Sequence, residues 1–250
     1  MVRGDLKMRN AIVALLATLG MMSCGSSVET ADNAASKTRA AKPRGGLAVV
    51  ELFQSQGCSS CPPANRNVNA IAGRSDILAL SFAVTYWDQL GWKDTFAKAE
   101  FTRRQRNYAR RVNGFDVATP QVMVNGRYGL VGSRESQLAA VIAKAGTLPP
   151  GPQISRNGNI LVVGAGRATQ PASILYVVYD PRSIEVPISA GENTGRTLPH
   201  RNIVRGLYDL GEWNGARRQV ELPAIKDASY RSAVLLQKGD GGPLIAARKL

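Results

Sequence analysis

Histidine occurs once and cysteine three times in the 250 residues. Two clustered cysteines and one distant histidine fall short of the four-ligand set of a zinc site. Copper(I) favours soft ligands, and the pair offers two thiolates. However, the five methionines form no cluster and no histidine lies near the pair. The single histidine, His200, lacks a matching serine context for a catalytic triad and reads as an ordinary core or surface residue. Acidic residues are also scarce, 18 against 32 basic, for a net charge of +14. That balance suits anionic surfaces such as membrane or envelope polymers. The apolar run at residues 11–22 is too short for a permanent membrane span, and no internal repeat occurs. No feature calls for a cofactor.

The chain does have the composition of a globular protein, 44% apolar and 20% charged, and the length of one large domain or two modest ones. Arg3, Lys7 and Arg9 precede the apolar run, which ends in Ser23-Cys24-Gly25. This pattern predicts a secretory signal peptide over residues 1–23. Ser23-Cys24 also resembles a lipoprotein cleavage site, in which Cys24 would carry the lipid and tether the protein to a membrane. The alternative is an inert cysteine near the cut. Residues 24–46 are small, polar and poor in apolar side chains, the signature of a disordered tether. The expected location is therefore the periplasm or the exterior, where a cysteine pair can stay oxidised and nucleic acid is not an expected partner.

Residues 47–53 form an apolar run broken by one acid, the mark of a buried strand. Beyond the motif FQSQGCSSCPP, Ala64, Val68, Ile71 and Ala72 share one face of a helix. A second buried strand follows at 77–84, so the segment reads as a βαβ unit with a parallel pair. A helix with Phe101, Gln105, Tyr108 and Val112 on one side comes next, its other side crowded with arginines. Strands at 121–124 and 128–131 flank the turn Asn125-Gly126. A last helix carries Leu138, Val141 and Ile142 inward, giving the order β-α-β-α-β-β-α over residues 47–148. The proline-rich stretch 148–152 reads as a linker. Residues 153–250 then read as a separate small antiparallel β-domain with a short helix near 202–210.

Cys58 and Cys61 stand between the first strand and the first helix. At this spacing the sulfurs can approach and bond. A helix N-terminus stabilises negative charge, and such placement lowers a thiol pKa from ~8.5 to roughly 3.5–7.5. Cys58 is then the attacking thiolate and Cys61 the resolving thiol. Pro62 and Pro63 are tolerated because early helix positions need no N–H donor. Thr119-Pro120, just before the third strand, can present backbone groups to an extended peptide if its peptide bond is cis.

The stretches VVELFQSQGCSSCPPAN, LALSFAVTYWDQLGWKDTF, FTRRQRNYA, ATPQVMVNG and GENTGRTLPHRNIVR resemble the DUF1223 family of secreted, thioredoxin-like proteins of unknown function. The resemblance covers nearly all the chain from Leu47. It implies a thioredoxin fold over residues 47–146, with Cys58 as nucleophile, Cys61 as resolver and Pro120 as the cis-proline. Gly57 departs from the thioredoxin pattern, which has an aromatic residue at that place.

Glu51 is a carboxylate in an apolar strand and is costly there unless protonated or partnered. It reads either as the acid that takes the proton of Cys61 through a water, or as half of a structural ion pair. Trp87, with Asp88, Trp92 and Asp94, follows the second strand at the sheet edge where ligands bind in open α/β sheets. Trp87 and Trp92 can wall a peptide site, and Asp88 or Asp94 can cap the next helix. Gly191-Glu-Asn-Thr-Gly-Arg196 is a polar turn able to bind a partner group. Two readings of the whole follow. One is a thiol–disulfide oxidoreductase acting on protein or peptide cysteines with an unknown redox partner. The other is a binding or scaffold protein with a static Cys58–Cys61 disulfide.

Overall fold

The computed structural model describes residues 46–112 and 116–250. The expected signal peptide, tether and Cys24 lie outside them. The elements are β1 (Ala48–Gln54), α1 (Pro62–Ile71), β2 (Ile77–Ala83), α2 (Ala99–Arg111), β3 (Gln121–Val124), β4 (Tyr128–Leu130) and α3 (Glu135–Ala145), then β5 (Ile154–Asn157), β6 (Ile160–Val163), β7 (Ala172–Asp180), β8 (Ile184–Pro187), β9 (Thr197–His200), β10 (Ile203–Trp213), β11 (Arg218–Glu221), β12 (Arg231–Lys238) and β13 (Leu244–Lys249). No described helix is long and apolar enough to cross a membrane.

Eight strands form one mixed sheet in the order β13-β12-β7-β10-β2-β1-β3-β4. β1 and β2 are parallel, as two buried apolar strands joined by a helix require. β3 and β4 add as an antiparallel hairpin. Its turn places Asn125 and Gly126 at φ 52° and 63°, conformations that Asn and Gly tolerate. β5, β6 and β11 make a second small sheet, and β8 and β9 a two-stranded ribbon. The fold is thus a mixed α/β architecture with one large sheet and two small antiparallel ones.

Alternation along β1 sends its residues to opposite faces. Ala48, Val50 and Leu52 pack with Ala64 and Val68 of α1 and Leu138 of α3. Val49 and Phe53 face the other way, onto Phe101 and Tyr108 of α2. That second cluster continues through Leu175, Val177, Val204 and Leu235 of the later strands. The expected separate β-domain after residue 148 is therefore not what forms. β7 and β12 are apolar on both faces and need cover on both. Extending the first sheet through β10, whose Ile203 pairs with Ser81 of β2, brings one face onto Phe101 and Tyr108 of α2, while Ile154, Leu161 and Val163 of β5 and β6 cover the other. Of residues 202–210, expected as a short helix, all from Ile203 onward belong to that joining strand. Eight of its residues pair with β7, and sheet pairing overrides the local helical pattern.

A chain ending at residue 148 would leave the β2 edge unpaired and half of this core uncovered. Such a truncated protein is expected to show no cooperative thermal transition, as followed by circular dichroism. A sharp two-state melt would mean that the first half folds alone.

Candidate functional site

The carboxyl end of β1 runs into a turn that contains both cysteines. Cys58 N–H donates to the Ser55 carbonyl at 3.2 Å, and Cys61 N–H donates to the Cys58 carbonyl at 3.2 Å. Helix α1 begins only at Pro62, with Cys61 as its N-cap. Cys58 therefore stands one turn ahead of the helix rather than within its first turn. Cys58 and Cys61 form a disulfide, with Cα atoms 5.4 Å apart. Pro62 and Pro63 lack N–H groups, so the helix start offers few donors to the sulfurs.

The other residues expected at the site gather here. Ser60 Oγ lies 3.3 Å from Cys58 Sγ and donates to the Thr119 carbonyl at 3.4 Å. Trp87 Nε1 donates to Thr119 Oγ1 at 2.7 Å. The Thr119-Pro120 peptide bond is cis. Trp87 also flanks Gly57, where a Cβ would lie 3.8 Å from the Trp87 Cβ. Cys58, Cys61, Trp87, Thr119 and Pro120 thus form one cluster.

Glu51 does not join it. Three residues before the end of β1, its side chain points to the α2 face. Arg104 Nε donates to its Oε1 at 2.7 Å, and the Tyr108 hydroxyl donates to Oε2. Arg104 is itself held by Gln237 Oε1 at 2.9 Å and by Tyr108 at 2.8 Å. Both carboxylate oxygens are engaged on the side of β1 opposite α1. The expected proton transfer with Cys61 gives way to a buried ion pair, the geometry that makes a charge tolerable inside.

The loop 191–196, between β8 and β9, closes over the disulfide turn from the second half of the chain. Glu192 Oε2 accepts from Ser59 N–H at 3.0 Å and Ser59 Oγ at 2.7 Å. Those two donors hold the Glu192 carboxyl below the usual carboxylate range. Asn193 is fully buried and its Nδ2 donates to the carbonyls of Gln56 at 2.8 Å and Cys58 at 2.9 Å. Arg196 Nη1 fixes Asn193 by donating to its Oδ1 at 2.7 Å. Cys58 is 0% exposed and Cys61 1%, while Ser59 and Ser60 remain at the surface.

Two titratable groups lie behind the turn. Asp94 Oδ2 accepts from Gln56 N–H at 2.7 Å and Oδ1 from Phe96 N–H at 2.8 Å. Burial pushes its carboxyl up to about 6. Trp92 Nε1 donates to Gln56 Oε1 at 2.9 Å, so Asp94 and Trp92 together fix Gln56. His200 is buried against Phe96 and faces Asn65 Nδ2 at 3.5 Å, and burial pulls its pKa down to about 4. Asn65 Oδ1 and His200 Nε2 have no hydrogen-bond partner among the described residues. Asn65 N–H donates to the Cys61 carbonyl at 3.0 Å, which puts this polar pair directly behind Cys61. The Gly-rich polarity of 191–196 marked it as a binding turn in the sequence, but nothing local marked the disulfide turn as its ligand.

A disulfide turn at the mouth of a parallel strand pair, beside a cis X-Pro loop and under a loop from the far half of the chain, defines a class of mixed α/β protein. Residues 49–237 match DUF1223, described as a protein of unknown function, and the chain belongs to that family. It is similar to the crystal structure of protein AGR_C_4864 from Agrobacterium tumefaciens. That likeness has 31% identity and a TM-score of 0.67, over 82% of this chain and 94% of that one. HBP35 of Porphyromonas gingivalis shares the fold at 12% identity and a TM-score of 0.50, over 82% of this chain and 75% of its own. No curated protein matches the chain.

Asp94 binds its proton more tightly folded than unfolded, because its folded pKa is raised from 3.8 to about 6. Its contribution is therefore complete below pH 4 and is lost as pH rises through 6. The stability of the wild type minus that of Asp94→Asn should shrink by about 2 kcal/mol between pH 4 and 6.5 in urea titrations. A difference that does not change with pH would contradict the assignment.

Proposed function

We propose that the protein is an exported thiol–disulfide oxidoreductase of thioredoxin-like build, acting on protein or peptide cysteines. One observation carries the reading: the Cys58–Cys61 disulfide sits beside Thr119, Pro120 and Trp87, three groups able to line a peptide. Export is inferred from the basic-then-apolar start of the chain. A disulfide suits an oxidising compartment. Lipid attachment at Cys24 would add a membrane tether.

In the oxidised form a partner thiolate attacks Cys58 Sγ. The Cys58–Cys61 bond breaks, a mixed disulfide forms on Cys58, and Cys61 leaves as a thiolate that takes a proton. A second partner thiolate then attacks its own sulfur in the mixed disulfide and expels Cys58, which is protonated in turn. Two electrons and two protons pass from the partner dithiol to the pair, and the partner leaves as a disulfide. The reverse sequence reduces a partner.

Access is the constraint on this chemistry. The loop 191–196 must move before any thiolate reaches Cys58. Its departure would also remove the Glu192 carboxylate and release Ser59 N–H toward Cys58, both favourable to negative charge on that sulfur. The burial of both sulfurs favours a second reading, a static disulfide that braces the turn of a binding protein.

Replacing Asn193 by Ala removes two donors to the turn, each worth about 0.5–1.5 kcal/mol. Reduction of the pair by dithiothreitol should then speed up by about tenfold. Insulin-disulfide reduction by the wild type should disappear in Cys58→Ser. Absent exchange activity, with a reduction potential below about −300 mV, would establish the static disulfide instead.

A further inference from the structure

Beside the disulfide, α1 and the β8–β9 ribbon leave a gap. A cavity of about 140 Å³ lies between Pro62, Asn65 and Arg66 on one side and Arg196, Leu198 and Pro199 on the other. Next to it lies a second hollow of about 570 Å³ that shares Arg66 and Pro199 and reaches Arg182 and Arg201. The two form one groove that starts a single residue from Cys61. Neither part is lined by an acidic residue. Arg182 is neutralised by Asp180 at 2.8 Å. Arg66 and Arg201 make no salt bridge among the described residues, and Arg196 is engaged only by the neutral Asn193 amide.

Three uncompensated guanidinium groups along a groove are matched by carboxylates. Such pairing adds charge-assisted, often bidentate, hydrogen bonds. Arg196 has a second attachment, because its Nη1 also tethers the side chain that hydrogen-bonds the Cys58 carbonyl. A carboxylate at the groove would outcompete a neutral amide oxygen for that guanidinium. Asn193 would then lose the contact that orients it toward the Cys58 carbonyl.

We propose that this groove docks an acidic peptide segment, and that docking draws Arg196 from Asn193 and frees the loop over the disulfide. The inference deepens the exchange reading, on which its use in electron transfer rests: the substrate is a protein with acidic residues near its cysteine. A ligand shifts a closed–open equilibrium only through its preference for one state, and the Arg196 exchange supplies that preference.

The test uses the full chain and a cysteine-free hexaglutamate peptide, with hexaglutamine and hexalysine as controls. Titration calorimetry should show binding of hexaglutamate alone. The affinity should fall by at least about fivefold in the Arg66→Ser/Arg201→Ser double variant. Saturating hexaglutamate should speed dithiothreitol reduction of the wild-type pair by about tenfold. Arg196→Ala should be reduced at that faster rate without peptide and should gain nothing from it. No hexaglutamate binding, or equal binding by the double variant, would overturn the groove. Binding with an unchanged reduction rate would overturn the release of the loop. If both hold while no cysteine-containing peptide exchanges with the pair, the docking stands and the oxidoreductase reading falls.

Discussion

A disulfide between residues three apart lies in a turn, and a turn at the end of a strand normally faces water. Here its sulfurs are buried and only Ser59 and Ser60 stay at the surface, and four hydrogen bonds join Glu192 and Asn193 to Gln56, Cys58 and Ser59 across more than 130 positions of sequence. The rest of the arrangement depends on that contact. The ribbon β8–β9 can reach the turn only because β7 and β10, on either side of it in sequence, are built into the same sheet as β1 and β2. The extension of the sheet thus also brings the loop 191–196 to the cysteines.

The same contact decides what the site can do as it stands. With Ser59 N–H committed to Glu192 and with two prolines opening α1, little remains to stabilise charge on Cys58. Asp94 and Trp92 fix Gln56 from behind. Asn65 and His200 sit behind Cys61. The closed form is well suited to store a disulfide and poorly suited to exchange it. In the exchange reading proposed above, a change of loop position, rather than a change of side-chain chemistry, separates the two.

The first half of the fold was legible because its signals are local. The runs at 47–53 and 77–84, the helix face from Ala64 to Ala72 and the turn Asn125-Gly126 each have one period and one punctuation, and the strands and helices follow them. The cluster of Cys58, Cys61, Trp87, Thr119 and Pro120 was legible for the same reason: each lies at the carboxyl end of its strand or just ahead of the next. The misreadings share the opposite cause. The segment after 202 is a strand because β2 and β7 lie on either side of it, and no window of ten residues contains that fact. The second half reads as a domain of its own because a proline-rich stretch precedes its short strands, but one face of β7 and β12 is covered by α2 and only the other by its own β5 and β6. Sequence alone leaves Glu51 as either proton acceptor or ion-pair partner, and Arg104, 53 positions away on another element, makes it the latter. The polar turn at 191–196 stood out as a binding loop, yet nothing local pairs it with the cysteine turn that it holds from more than 130 positions away.

The central claim is that the disulfide is opened by a local motion of one loop. The most direct measurement is the rate of dithiothreitol reduction of Cys58–Cys61 as a function of urea below the unfolding transition. Local opening exposes little surface, so the rate should rise with a slope well under the m-value of global unfolding. A slope equal to the full m-value would mean that the pair is reached only by unfolding the protein, and would contradict the account.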